Sequence, residues 1–274
     1  MLRAILRNLM TGVVTQRRPV PPPLRFRGAP RVRASQVFDA LPMPSVCPSG
    51  AITRGPGAGQ YEIDLARCIF CGRCAAAAPE CAIELGRTVE LAARRREHLV
   101  VQVARSAEGQ SVPLPPLAPA EQVARCIRHS LGRSLQLRHL DAGSCNACDW
   151  ELTALLNPVY DIRRLGIDFV ASPRHADGVV VTGPVTRNLE TAVRRTYEAV
   201  PEPRVVIAVG ACASSGGIVG RNYASAGGVD QVLPVDVFIP GCPPRPDAII
   251  FGILLAIGRA QERKRVSDQF HSHT

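Results

Sequence analysis

The chain has 274 residues, enough for one large or two modest domains that each bury a core. Its formal net charge is +10, but only 4% of residues are aromatic. The basic positions therefore lack the interleaved rings of a nucleic-acid surface, and no recognition motif accompanies them. The longest apolar run, AIIFGILLAIG at 248–258, is too short for a membrane span and is expected to be a buried core helix.

Residues 1–36 form a basic arm, and residues 1–38 hold eight arginines and no Asp or Glu. Within it MLRAILRNLM puts Leu2, Ile5, Leu6, Leu9 and Met10 on one helical face, with Arg3 and Arg7 off it. This pattern reads as a docking helix for a membrane surface or membrane subunit; a packed N-terminal helix and an organellar transit peptide are the alternatives. Arg17-Arg18 precedes a proline run rather than an apolar segment, and no secretory signal is legible. The ten cysteines are then expected as metal-bound thiolates in a reducing cytoplasm.

Residues 37–92 carry the first cysteine pattern. CIFCGRC places Cys68, Cys71 and Cys74 at the spacing of a bacterial iron-sulfur run, yet the position before Pro79, where its fourth cysteine belongs, is Ala78. Upstream, Cys47-Pro48 has the form of the same motif's tail. In two-cluster ferredoxins the Cys of each Cys-Pro ligates the other half's cluster. Cys47 is therefore expected to complete a 4Fe-4S site with Cys68, Cys71 and Cys74, Cys81 being the rival fourth ligand. The second cluster would need cysteines at Val37, Ala40, Met43 and Ala78, and all four are absent. The region is expected to be a ferredoxin-like α+β domain that has kept one cluster.

A linker is expected over 93–133, ending beyond the proline-rich SVPLPPLAPAEQ. From 134 to 262 strand and helix signals alternate. SLQLRHL, GIDFVA, DGVVVTG, RVVIAVG and VDVFIP read as strands, the last four as short buried ones. WELTALLN, TRNLETAVRRTYEAV started by Thr186, and PDAIIFGILLAIGRAQE with Pro246 in its first turn read as helices. That alternation predicts a parallel α/β sheet, followed by a tail at 263–274. Four more cysteines, Cys145, Cys148, Cys212 and Cys242, each follow a predicted strand, where loops of a parallel sheet converge. By spacing alone a zinc site, a redox pair and four structural cysteines all remain open. GACASSGG fits neither common phosphate-loop pattern.

AGSCNACDWEL, SPRHADGVVVTGPVTRN, GACASSGGI and PVDVFIPGCPPRPDAII together resemble the small electron-transfer subunit of group 4 membrane-bound [NiFe] hydrogenases, including formate hydrogenlyase. That family is similar to the B subunit of complex I. The resemblance implies a flavodoxin-like fold with a proximal 4Fe-4S cluster on Cys145, Cys148, Cys212 and Cys242. The N-terminal MLRAILRNLMTGVVT, RFRGAP and DLARCIFCGRC are similar to a polyferredoxin-like subunit of the same complexes, so the chain looks like a fusion carrying two 4Fe-4S clusters. Implied partners are a hydrogenase large subunit with the Ni-Fe centre, membrane-embedded complex-I-like subunits, and a dehydrogenase or ferredoxin as electron donor. The implied location is the cytoplasmic face of the membrane, reached through partner subunits. Complex I B subunits carry two adjacent cysteines at the first ligand site, whereas Cys145-x-x-Cys148 has the hydrogenase form. A complex-I-like quinone oxidoreductase subunit and a non-catalytic redox carrier are the other readings. Glu151, by the same resemblance, is a candidate proton relay; otherwise it is a first-turn acid favoured by the helix dipole. Asp149 reads as a cap or surface acid.

Overall fold

The computed structural model describes residues 21–32, 43–55, 61–78, 83–103, 134–202 and 204–257, with positions 3, 7, 10, 11, 14 and 15 of the arm. Arg3, Arg7, Met10 and Thr11 are helical and exposed. Met10, assigned from sequence to the apolar face, is 86% exposed, while Leu2, Ile5, Leu6 and Leu9 lie outside the described residues, as does the tail expected at 263–274. Thr15 Oγ1 donates to the Pro158 carbonyl at 2.8 Å, which ties the arm to the α/β region.

The N-terminal segments fold as β1 (Pro30–Val32), α1 (Met43–Val46), β2 (Ile52–Arg54), β3 (Tyr61–Asp64), α2 (Arg73–Ala77), β4 (Ile83–Leu85) and β5 (Val100–Val103). β1 pairs antiparallel with β4, and β2, β3 and β5 form a second antiparallel sheet. In β3 the period of two is explicit: Tyr61 and Ile63 are buried while Glu62 and Asp64 are only half-buried. Asp64 ends that strand and launches the cysteine loop. Its carboxylate accepts from Ala66 N at 2.9 Å, its carbonyl accepts from Cys68 N at 3.0 Å, and Arg96 holds its other oxygen at 2.5 Å.

Residues 93–103, expected as linker, are structured instead. Arg96–Leu99 make a 3-10 turn and β5 pairs with β3, Val101 opposite Ile63. The physical reason is the free edge of β3, which the β-branched VVQV run covers by completing the backbone ladder. Ala93 bridges to Phe238, and Arg94 Nη2 donates to the Leu255 carbonyl at 2.9 Å.

Beyond residue 134 the chain forms β6 (Leu135–Asp141), α3 (Ala147–Ala154), β7 (Ile167–Phe169), β8 (Gly178–Thr182), α4 (Arg187–Glu198), β9 (Val205–Val209), α5 (Gly210–Ser215), β10 (Val237–Ile239) and α6 (Pro246–Ile257). Five parallel strands run in the order β7-β6-β8-β9-β10. Counted within this region that is 2-1-3-4-5, the flavodoxin-like order, with its switch point between β6 and β8. Alternation along β8 separates two cores. Val179 and Val181 pack with Val193 of α4 and with Ile52, Tyr61 and Ile63 of the N-terminal sheet. Val180 faces the opposite way, with Leu152 of α3 and Ile249 and Ile253 of α6. α6 is the apolar run of the sequence, buried as expected, and no helix among the described residues is long and apolar enough to cross a membrane. α4 does start after Thr186, but that hydroxyl donates to the Ala142 carbonyl at 3.4 Å rather than capping its own helix.

Candidate iron-sulfur sites

Four thiols meet at the carboxyl edge of the parallel sheet. After β6, Asp141 Oδ1 accepts from Gly143 N at 2.9 Å and Ser144 N at 2.7 Å, folding the loop that presents Cys145 and leads through left-handed Asn146 into α3 and Cys148. Cys212 stands in α5, directly after β9, and Cys242 follows β10. Ala211 N donates to the Gly241 carbonyl at 2.7 Å, joining the last two loops. Cys145 and Cys242 are exposed, Cys212 is half-buried and Cys148 is buried.

Electrostatics bind these thiols into one group. Burial pushes the Cys148 thiol far up, and Cys212, Cys242 and Cys145 push it further. Cys212 rises to about 11 through burial and then Cys242 and Cys145; Cys242 rises through burial and Cys145. Thiols held this close, with Cys148, Cys212 and Cys242 all raised, are a donor set suited to a cationic centre, which replaces repulsion between thiolates by attraction. The backbone leaves room for one. Gly210, at φ +90°, would place a Cβ 2.6 Å from Cys148 Sγ, and Gly217, at φ +55°, would place one 3.0 Å from Cys212 Sγ. Side chains at either position would press directly on the sulfurs.

Cys47, Cys68, Cys71 and Cys74 line a single recess of about 390 Å³. Ala51 N donates to Cys47 Sγ at 3.2 Å and Phe70 N to Cys68 Sγ at 3.4 Å. Burial lifts the Cys47 thiol, but hydrogen bonds from the Ser49 hydroxyl and from the Ala51, Ser49 and Ile52 backbone outweigh it and the net shift is downward. Cys68 is pushed up to about 12, by burial first and by Cys74, Cys47 and Cys71 after it. The loop reaches this geometry through Phe70 at φ 54° and Gly72 at φ 79°, both left-handed. Cys81 and Cys126 lie outside the described residues. Ala78 caps α2, its N–H donating to the Cys74 carbonyl at 3.0 Å.

Among the described residues no three His, Cys, Asp or Glu side chains are gathered closely enough for a single metal ion. The thiolates of a four-iron cluster each bind a different iron, and each set offers the four thiols such a centre takes.

Asp149, read from sequence as a cap or surface acid, is a hub. Its Oδ1 accepts from Thr182 Oγ1 of β8 at 2.7 Å and lies 2.8 Å from His139 Nε2 of β6, and its Oδ2 accepts from Ser144 Oγ. The Cys145-x-x-Cys148 loop is thereby anchored to both strands at the switch point. No sequence signal marks this role, because the three partners are five to 33 residues away. Glu151 is half-buried, and burial raises its carboxyl pKa; Arg245 lowers it and Asp247 raises it. Asp247, with an 8% exposed side chain, is likewise raised by burial against a lowering by Arg245, whose Nη2 lies 3.4 Å away.

Residues 145–256 match the NADH ubiquinone oxidoreductase, 20 Kd subunit family. The chain is 48% identical over 127 residues to the probable membrane-bound hydrogenase subunit mbhJ of Pyrococcus furiosus, covering 46% of this chain and 76% of that one. It is 39% identical over 159 residues to formate hydrogenlyase subunit 7 of Escherichia coli, 58% of this chain and 62% of that one. The B subunit of NADH-quinone oxidoreductase from Citrifermentans bemidjiense is 47% identical over 107 residues, 39% of this chain and 62% of that one.

Proposed function

Because the chain belongs to the family of the NADH ubiquinone oxidoreductase 20 Kd subunit, we propose that it is the electron-transfer subunit of a membrane-associated group 4 [NiFe] hydrogenase of the formate-hydrogenlyase kind. In this reading Cys145, Cys148, Cys212 and Cys242 hold a proximal 4Fe-4S cluster, and Cys47, Cys68, Cys71 and Cys74 hold a second. The observation that carries it is the presence of two separate four-thiol sets, each shaped by close backbone and, at Cys47 and Cys68, by N–H donors aimed at sulfur. Its relatives are subunits of oxidoreductase complexes, and the Cys145-x-x-Cys148 spacing has the hydrogenase form.

A four-iron cluster, when bound, accepts and releases single electrons. This chain's residues set the conditions for that. Gly210 and Gly217 let backbone close over the thiolates, and the Ala51 and Phe70 amides stabilise negative charge on sulfur. Exposed Trp150, Ile218, Val219 and Tyr223 flank the loops that bear Cys145, Cys148 and Cys212, as a large subunit's docking face would. Glu151, one residue from Trp150, keeps its proton above the usual carboxylate range, which suits proton transfer at its carboxyl towards that subunit. The ferredoxin-like unit spans 37–92 with β5 added, the hydrogenase-like unit 134–262, and the basic arm meets the membrane or a membrane subunit.

Purification with native partners tests the reading: nickel and hydrogen evolution are expected, and a nickel-free, hydrogen-inactive complex would overturn it. The comparable identity to a complex I relative supports one rival, a quinone oxidoreductase, which predicts quinone reduction by that nickel-free complex. For the second cluster, Cys47→Ala should remove one 4Fe-4S EPR signal and half the iron, and Cys81→Ala should remove neither.

A further inference from the structure

The two thiol sets share one groove of about 860 Å³. Of the eight cysteines only Cys71 and Cys242 line it, one from each set, alongside Phe26, Arg27, Phe70 and Arg245. Both cations are fixed. Arg27 Nη1 donates to the Cys71 carbonyl at 3.1 Å. Arg245 lies with its guanidinium carbon 5.6 Å from the centre of the Phe26 ring, its side chain 23% exposed, and its Nη1 is buried with no hydrogen-bond partner among the described residues. The carboxyls facing Arg245 are Asp247 and Glu151, and Glu90 in turn faces Asp247. Both acids beside Arg245 are raised in pKa by burial, so they offset its charge only in part.

We propose that electrons cross between the clusters through this groove, at its Cys71 and Cys242 walls, and that Arg27 and Arg245 are positioning residues whose permanent charges hold up the two reduction potentials. The proposal rests on the reading that each thiol set binds a four-iron cluster. In the crossing one electron leaves one cluster, whose charge rises by one, and enters the other, whose charge falls by one; no proton, bond or further reactant takes part. Reduction adds negative charge, so a fixed cation beside a cluster stabilises its reduced form more than its oxidised form. Arginine suits the task because it keeps its charge at every working pH. Arg245 lies three residues past Cys242 and acts on the proximal cluster; Arg27 is bonded at Cys71 and acts on the other.

The test is an anaerobic redox titration of the assembled complex followed by EPR, with iron counted and the two signals assigned by Cys47→Ala. Arg245 variants are made on an Asp247→Asn background, so that the buried carboxyl cannot take up a proton and mask the lost charge. There Arg245→Gln should lower the reduced-to-oxidised ratio of the proximal cluster about tenfold at fixed potential, ~59 mV for a one-electron couple, while Arg245→Lys should hold it near the parent value. Arg27→Gln, an exposed substitution, should lower the other cluster's potential by a smaller amount and leave the proximal one in place. Unshifted potentials with intact signals would overturn the proposal, as would equal shifts for Lys and Gln, which mean lost geometry rather than lost charge. Should Arg245→Gln lose its cluster, Arg27→Gln decides alone, and no shift there overturns it. Fewer than two clusters in the unsubstituted complex would sink the two-cluster reading itself.

Discussion

Asp149 shows how much one carboxylate can organise. Its two oxygens engage His139, Thr182 and Ser144, so truncation strips acceptors from three groups around the loop that carries Cys145 and Cys148. An unmet partly buried donor costs ~1–3 kcal/mol. Asp149→Ala should therefore lower the melting temperature and the iron retained by the proximal site, leaving the iron at Cys47, Cys68, Cys71 and Cys74 in place. Gly210→Ala should be more severe, since its Cβ falls 2.6 Å from Cys148 Sγ at φ +90°. Loss of the proximal EPR signal at unchanged second-cluster signal is the expected readout. Asp247 carries a pH signature. Burial raises its folded pKa, so the stability it contributes is present below its unfolded-state pKa of ~3.9 and lost as pH rises through the folded value. Asp247→Asn escapes that loss, so its melting temperature relative to the parent should climb from acid towards neutral pH.

At the scale of elements, the region after residue 93 shows where composition misleads. REHLVVQV sits beside a proline-rich stretch and reads as the start of a linker, yet its β-branched residues supply the strand that β3 lacks at one edge. β3 ends in Asp64, which sets the turn into Cys68, so β5 supports the ligand loop at one remove. Val101→Pro removes a ladder donor opposite Ile63. It should halve the iron content by releasing the Cys47 site while the proximal signal persists. α5 makes a complementary point: the glycine-rich GACASSGG fits no phosphate-loop pattern, and in the fold Gly210 opens and Gly216 closes a short helix that carries Cys212 beside Cys148.

For the whole molecule, the N-terminal sheet and the parallel sheet share one apolar core and are pinned beside both cysteine sets. Ser215 Oγ, three residues past Cys212, donates to the carbonyl of Ala66, two residues before Cys68, at 3.0 Å. Along the loops that bear Cys145, Cys148 and Cys212 the molecule leaves Trp150 at 73%, Ile218 at 62% and Tyr223 at 97% exposure. If this is the docking face, Ile218→Asp combined with Tyr223→Ser should reduce co-purification of the large subunit severalfold while both clusters stay bound, as EPR would report.

The sequence by itself determined whatever depends on local period, local geometry or fixed spacing. Continuous β-branched runs such as DGVVVTG are buried strands wherever they fold, Pro246 can only open its helix, and strand-helix alternation leads to a parallel sheet. Spacing suggested Cys47, twenty-one residues before Cys68, as the companion of Cys68, Cys71 and Cys74, because a Cys-Pro has the form of a ferredoxin tail, whereas for Cys145, Cys148, Cys212 and Cys242 spacing left several readings open and the family resemblance implied the set. Tertiary structure alone decided what depends on the meeting of distant segments: the strand order that brings three loops to one edge, the β5 addition, the Asp149 hub, and the groove where Cys71 meets Cys242. The separations reach 33 positions at the Asp149 hub and more than a hundred between Cys71 and Cys242. Hydrogen bonds, burial and charge at such places are properties of through-space distance, which no pattern of neighbours along the chain encodes.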